Sequence, residues 1–160
     1  MLQRIQTVFM ILVALSMVAS IFFPIWLTTS PATGEAFVFM PVYFQHITAT
    51  GAEPAITYFP YSTIGILNVL VAMVAIYQIF QYKNRLTQMK LGALVSFLAV
   101  ISVAFSMFLI YQGKQDWLPE LPGTYSIGIY LSMASLVWNM LSNRFIRKDE
   151  KLIRSVDRIR

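Results

Sequence analysis

Residues 62–111 read STIGILNVLVAMVAIYQIFQYKNRLTQMKLGALVSFLAVISVAFSMFLIY, two apolar runs that flank a short basic segment. The runs cover about 62–82 and 91–111, and Lys83, Arg85 and Lys90 lie between them. A helix of about 20 residues crosses a hydrocarbon core of about 30 Å. Because the connection is short, the sequence predicts two antiparallel membrane helices that lie side by side.

Two more apolar runs, at about 7–27 and 124–142, predict a first and a fourth span. A cleavable signal peptide is the competing interpretation of the first run, because Arg4 precedes it. The apolar part of a signal peptide has only about 7–15 residues, whereas this run continues through Phe23 to Trp26. We therefore expect an uncleaved anchor and a single four-span membrane domain covering residues 1–160.

The distribution of basic residues predicts the orientation of the four spans, because cytoplasmic loops collect Lys and Arg. Lys114 is the only basic residue outside three clusters. The clusters are Arg4; Lys83, Arg85 and Lys90; and Arg144, Arg147, Lys148, Lys151, Arg154, Arg158 and Arg160. We therefore expect both termini and the 83–90 connection to be cytoplasmic, with the loops 28–61 and 112–122 outside.

Composition agrees with a chain whose main solvent is lipid. Hydrophobic residues make up 58% and charged residues 12%, whereas soluble domains have about 25% charged residues. The net charge of +5 comes from basic residues that flank apolar runs, where anionic headgroups are nearer than nucleic acid. The chain has no cysteine, which excludes disulfides and thiolate metal sites. We expect membrane lipids as partners, and no nucleic acid.

The first outer loop, residues 28–61, is broken by Pro and Gly and contains two segments rich in aromatic and β-branched residues. These segments are Ala36–Phe44 and Ala55–Phe59, and a turn-like Thr50-Gly51-Ala52 separates them. This pattern predicts a short β-hairpin over the outer ends of the helices.

Small and polar residues recur at steps of three and four along the last three predicted spans, which places them on one face of each helix. In lipid, such residues allow helix backbones to approach closely. This spacing predicts a left-handed all-α bundle with crossing angles near about +20°. The predicted packing seam consists of Gly65, Asn68, Gly92, Ser96, Gly128, Ser132, Ser135 and Asn139.

Candidates for transport or catalysis are few. All four predicted spans lack Asp, Glu, Lys, Arg and His, although proton and ion pathways usually contain one. His46 is the single histidine, and the nearby carboxylates form no ligand-spacing motif. We therefore expect no metal, no cofactor and no enzymatic activity. A pathway for a neutral or lipidic solute stays open as an alternative.

The C-terminal tail, residues 143–160, combines an apolar stripe with basic residues. Phe145, Leu152 and Ile159 are spaced by seven, so they lie on one helical face. Such a helix suits the cytoplasmic leaflet surface or a groove on a partner protein. The candidate contact residues for a partner or lipid are Phe145, Arg147, Lys148, Leu152, Ile153, Val156 and Ile159. A tail that serves only as a topology anchor is the simpler alternative.

Two end segments carry a resemblance to a known family. The chain begins MLQRIQT at residues 1–7 and ends RFIRKDEKLIRSVDRIR at residues 144–160. With these segments the chain resembles a family of small bacterial four-helix membrane proteins of unknown function. The resemblance implies an inner-membrane location and a four-span bundle. It implies no activity, cofactor or site residue.

These observations favour an accessory or structural membrane subunit. We expect it to bind other membrane proteins, a second copy of itself, or lipid, through the tail and the lipid-facing surface. The alternative is a transporter of a small molecule or lipid that uses the first outer loop as a lid.

Overall fold

The computed structural model describes residues 2–31, 33–49, 53–82, 84–117 and 123–157. The described part is mostly helical, as predicted, and it also includes a small antiparallel sheet. Its helices are α1 (Leu2–Phe22), α2 (Ser62–Phe80), α3 (Arg85–Trp117) and α4 (Ile127–Asp157). Its strands are β1 (Trp26–Thr29), β2 (Ala36–Phe39), β3 (Phe44–Ile47), β4 (Ala55–Thr57) and β5 (Thr124–Tyr125).

Three of the described helices are long and apolar enough to cross a membrane, judged by length and composition. The qualifying segments are Ile5–Phe22, Ser62–Phe80 and Arg85–Gln115. A helix satisfies all of its internal backbone hydrogen bonds within itself, as the hydrocarbon layer requires. Helix α4 contains the fourth predicted span from Ile127 onwards, because residues 124–125 form β5, and it continues into the charged tail.

The helices pack so that α1 contacts α2 and α4, and α3 also contacts α2 and α4. Small and medium apolar side chains fill the space between them, which brings the backbones close together. This cluster contains Val13, Ala14, Met17, Val71, Ala72, Ala75, Val95 and Ala99. The outward surfaces are also apolar: Leu15, Ile66 and Phe97 are all at least 60% exposed. Burial and exposure of apolar residues on the same helices is the pattern expected in lipid.

The sheet has five antiparallel strands in the order β4-β3-β2-β1-β5. Trp26 of β1 pairs with Phe39 of β2 on one side and with Tyr125 of β5 on the other. The sequence predicted only a hairpin, whereas the sheet also contains β1 and β5. These two strands lie in segments that were assigned to the ends of the first and fourth spans.

Helix α1 ends before the limit predicted for the first span, at Phe22 instead of residue 27. Pro24 explains this difference, because a proline disfavours helical backbone in the residue before it. The chain then enters the sheet, where the Ile25 amide donates a hydrogen bond to the Phe39 carbonyl at 2.8 Å. Trp26 and Leu27 therefore belong to β1, although both are apolar and continue the apolar run of the first predicted span.

Helix α3 is longer at both ends than the predicted span 91–111. The Asn84 side chain caps its N-terminus, because Oδ1 accepts a hydrogen bond from the Thr87 amide at 3.2 Å. At the other end the helix continues to Trp117, so the first half of the predicted outer loop 112–122 is helical. Residues 118–122 lie outside the described ranges.

The sheet packs on the ends of the helices through aromatic side chains. Trp26, Phe37, Phe39 and Phe44 are buried together with residues from the start of α2, the end of α3 and the start of α4. Tyr61 joins this cluster, with its ring centroid 4.9 Å from that of Phe39. The sheet is therefore part of one core with the helices.

Candidate functional site

A buried amide links three helices. Asn68 of α2 donates from Nδ2 to Ser20 Oγ on α1 at 2.9 Å. The same side chain accepts, at Oδ1, a hydrogen bond of 2.5 Å from Ser102 Oγ on α3. Asn68 has no exposed surface, so these bonds satisfy a polar group that lipid or a dry core would otherwise penalise. Asn68 was predicted in the seam, whereas Ser20 and Ser102 were not.

A second amide joins α4 to α3. Asn139 Nδ2 donates to the Gly92 carbonyl at 2.8 Å and to Ser96 Oγ at 2.7 Å. A Cβ at Gly92 would overlap the side-chain amide of Asn143, so a larger residue there would require that amide to move. The structure therefore brings together the predicted seam residues Gly92, Ser96 and Asn139.

Two glutamines close the junction between the end of α2 and the start of α3. Gln78 Nε2 donates to the backbone carbonyl of Gln88 at 3.0 Å, and Gln88 Nε2 donates to the backbone carbonyl of Gln78 at 3.4 Å. Gln88 is only 2% exposed, although the sequence placed it in a connecting loop. Its spacing of four from Gly92 was the signal that could have assigned it to the seam.

The other seam residues bond to backbone outside the helices or within their own helix. Gly65 and Gly128 approach backbone outside the helices: their amides donate to the carbonyls of Pro41 and Pro24 at 2.8 and 2.9 Å. Ser135 Oγ donates to the Ser132 carbonyl on its own helix at 2.7 Å. Ser132 and Ser135 are buried, at 5% and 1% exposure. Their small size thus leaves room for the neighbouring helices.

A basic cavity of about 620 Å³ lies between α3 and the C-terminal part of α4. The described residues that line it are Ser96, Met140, Asn143, Arg144, Arg147, Lys148 and Lys151. The four cationic residues follow the spacing i, i+3, i+4 and i+7, so they share one face of α4. Arg147 and Lys148 were predicted as contact residues, and the fold adds the other five.

The apolar side of the tail begins inside the protein. Phe145, predicted to contact a partner or lipid, stacks on Phe9 of α1 with a centroid distance of 5.6 Å. Ile146 is completely buried. The tail is a direct continuation of α4 and does not start a new helix, and its backbone is helical through Leu152, Ile153 and Val156 to Asp157. Ile159 lies outside the described residues.

One ion pair connects the tail to the start of α3. Asp149 is 8% exposed, and its Oδ2 lies 4.0 Å from Arg85 Nη1. Partial burial strengthens such a pair relative to a fully exposed one. The carboxylate of Asp149 thus faces α3, whereas its cationic neighbours line the cavity.

The outer sheet holds a weaker candidate. His46 Nε2 lies 3.6 Å from Glu35 Oε2, and the His46 ring stacks on Phe37 with a centroid distance of 4.3 Å. Within the described ranges, no group of three or more His, Cys, Asp and Glu residues could hold a metal ion. The His46 side chain therefore lies between the Phe37 ring and the Glu35 carboxylate on the sheet.

The comparisons add a family but no function. Comparison with curated proteins gives no match. One family model, described as a domain of unknown function (DUF4293), matches residues 2–159. The predicted resemblance to a family of unknown function is confirmed. Because the match covers nearly the whole chain, this protein belongs to the DUF4293 family.

Proposed function

We propose that this protein is a four-span membrane protein that serves as an accessory or structural subunit. It binds other membrane proteins, a second copy of itself or lipid, and it catalyses no reaction. In this proposal it lies in a bacterial inner membrane as a left-handed four-helix bundle with both termini in the cytoplasm. The sheet then lies outside, and the basic cavity lies at the cytoplasmic leaflet.

The contacts of α4 support its assignment as the fourth span. Its polar residues Ser132, Ser135 and Asn139 point inward and are at most 5% exposed. Its outward residues are apolar or aromatic, with Tyr130, Val137 and Met140 each more than half exposed. Mean hydropathy gives the inward polar residues of α4 the same weight as its outward apolar residues. It therefore underestimates how apolar the outward surface of α4 is.

The hydrogen bonds inside the helices carry the case for an accessory role. The least exposed side-chain amides of the predicted spans are Asn68, Gln78 and Asn139. Each of them donates a hydrogen bond to a neighbouring helix. A solute pathway needs polar groups that can bond to the solute. The amide nitrogens of Asn68, Gln78 and Asn139 instead donate to neighbouring helices, which favours a binding scaffold over a transporter.

The packing of the sheet also argues against the lid mechanism. Trp26, Phe39 and Phe44 are each at most 6% exposed and pack on helix residues such as Ile64. Opening a lid would expose these aromatic side chains to water, at about 25 cal/mol per Å² of apolar surface. A mobile lid is expected to bury far less apolar surface in its closed position.

Recovery of the tagged full chain from native membranes tests this proposal. Polymer-bounded membrane discs keep the surrounding lipid, and mass spectrometry identifies bound proteins and lipids. The proposal predicts a stoichiometric protein partner or a lipid enriched over the bulk membrane. A chain recovered alone, in lipid of bulk composition, would contradict it. A bound neutral solute together with its uptake by reconstituted vesicles would support the transporter instead.

A further inference from the structure

We propose that the basic cavity between α3 and α4 binds the phosphate-bearing headgroup of an anionic membrane lipid. This inference rests on the proposed function, because it requires the cavity to lie at the level of the cytoplasmic headgroups. It goes beyond that function by assigning a ligand class and a specific site.

The charge of the cavity points to an anion. Arg144, Arg147, Lys148 and Lys151 are all exposed along one face of α4, and no acidic residue is among the described lining residues. Four like charges at helical spacing repel one another. Asp149 and Glu150 lie in the same stretch of sequence, but neither is among the described lining residues: the Asp149 carboxylate is directed to Arg85 on α3, and Glu150 has a contact of its own. The cationic residues are therefore left to face an external anion.

The floor of the cavity supplies neutral polar groups. Ser96 Oγ accepts a hydrogen bond from Asn139 Nδ2 at 2.7 Å, so its own proton is available to donate. Asn143 Oδ1 is buried against Gly92 and has no hydrogen-bond partner. In the proposed site, the Nδ2 atom of that amide donates to the headgroup. Phosphate oxygens accept bonds from both kinds of donor and from Arg and Lys.

The surroundings of the cavity favour a lipid over a soluble phosphate. Met140 lines the cavity and is 69% exposed; Val137, three residues earlier on α4, and Phe97, next to Ser96 on α3, are 53% and 63% exposed. A headgroup among the cationic residues would leave its acyl chains along these side chains. A cavity of about 620 Å³ is within the usual range of about 300–1,000 Å³ for small-molecule sites. Basic cavities between helices on the cytoplasmic side are known to suit phospholipid headgroups.

Native mass spectrometry of the full chain in zwitterionic micelles, titrated with phosphatidylglycerol or phosphatidylcholine, tests the site. The matched variants are Lys148→Gln inside the cavity and Lys90→Gln outside it, since both residues are exposed lysines at the same end of the helices. One basic residue near anionic lipid changes affinity by about fivefold. We expect Lys148→Gln to weaken phosphatidylglycerol binding about fivefold, and Arg147→Gln with Lys148→Gln about 25-fold. Lys90→Gln should stay within about twofold of the wild type.

Two further variants keep the result interpretable. Lys148→Arg preserves the charge and should retain binding, whereas Asn143→Asp places a negative charge at the cavity floor and should abolish it. The thermal unfolding of each variant without anionic lipid shows whether it is folded. Equal binding of phosphatidylglycerol by folded wild type and Lys148→Gln would overturn the proposal, as would equal binding of the two lipids by the wild type.

Competition with glycerol 3-phosphate and inorganic phosphate separates the two sources of the anion. The lipid proposal predicts that neither displaces phosphatidylglycerol at matched concentrations, because neither has acyl chains. Displacement by either would overturn the lipid source. Recovery of a protein partner by a wild-type chain that shows no preference for phosphatidylglycerol would refute this inference and leave the proposed function standing.

Discussion

Asn139 Nδ2 on α4 donates a hydrogen bond to Ser96 Oγ on α3 at 2.7 Å, and Ser96 also lines the basic cavity. One residue thus contributes both to helix packing and to the candidate headgroup site. The distance between α3 and α4 at this level sets the width of the cavity. Changes that separate these helices should therefore affect stability and lipid binding together.

Gly92→Ala tests the close approach of α3 and α4. An added methyl group would overlap the Asn143 amide, so we expect a loss of about 1–3 kcal/mol in the free energy of unfolding. Gly113→Ala on the same helix is the control, because a methyl there meets nothing within 4 Å. Alanine favours helix over glycine by about 1 kcal/mol, so this control should be neutral or stabilising. Chemical unfolding in detergent measures both, and similar losses would show that the approach at Gly92 is not tight.

The three-helix junction at Asn68 should show energetic coupling to Ser102. Interhelical hydrogen bonds in membranes contribute about 0.6 kcal/mol on average. A double-mutant cycle of Asn68→Ala and Ser102→Ala should therefore return a coupling free energy near about 0.6 kcal/mol. Asn68→Ala combined with Ser135→Ala should be additive, because Ser135 bonds within its own helix. Zero coupling between Asn68 and Ser102 would show that their hydrogen bond does not stabilise the protein.

Ser135 and Val137 lie two residues apart on α4 and have opposite environments. Ser135 is 1% exposed and Val137 is 53% exposed. We expect Ser135→Leu to destabilise the protein by about 1–3 kcal/mol through overpacking, and Val137→Leu to stay within about 0.5 kcal/mol. Thermal unfolding in detergent compares the two. Equal effects would mean that the lipid-facing and packing faces of α4 are assigned incorrectly.

The apolar helices could be predicted from the sequence because lipid imposes a length and a composition on each span. Runs such as 62–82 satisfy that requirement without information from the rest of the chain. Helix ends were less predictable. Pro24 ends α1 early, and the Asn84 cap starts α3 before its apolar run, so both limits depend on single residues.

Most of the sheet could not be predicted because its strands are short and their partners are distant. Trp26 pairs with Tyr125, about one hundred positions later in the chain, and neither segment alternates long enough to show a strand period. Gly123 gave a clue only in retrospect, since a Cβ there would overlap the Trp26 ring. Tertiary packing decides such pairings.

The candidate cavity was predicted only in part. The charges of Arg147 and Lys148 were evident, and both were assigned to a contact surface. Ser96 and Asn143 join them because α3 and α4 approach closely at Gly92, which is a property of the folded chain. Sequence spacing indicates which residues share a helix face, but it does not identify the helix opposite.

The tail offers a test by hydrogen exchange. Helix α4 extends to Asp157, so amides of residues 145–157 should exchange more slowly than those of an unstructured peptide. Leu152→Ser with Val156→Ser removes apolar groups whose burial contributes a free energy of about 0.8 kcal/mol per CH₂. Exchange of the tail amides in nanodiscs should therefore accelerate by at least about tenfold. Arg154→Ser with Asp157→Ser is the control, because it leaves the stripe and the net charge unchanged. Fast exchange in the wild type would favour the topology-anchor alternative.

The location of the sheet and the basic cavity on opposite sides of a membrane is the central claim, and cysteine labelling measures it directly. The chain has no cysteine, so Glu53→Cys near β4 and Lys151→Cys in the tail each introduce one reactive thiol. In intact spheroplasts, a membrane-impermeant maleimide should label Glu53→Cys at once and Lys151→Cys only after permeabilisation. Labelling of both thiols in intact spheroplasts, or the reverse order, would contradict the four-span topology and the headgroup site with it.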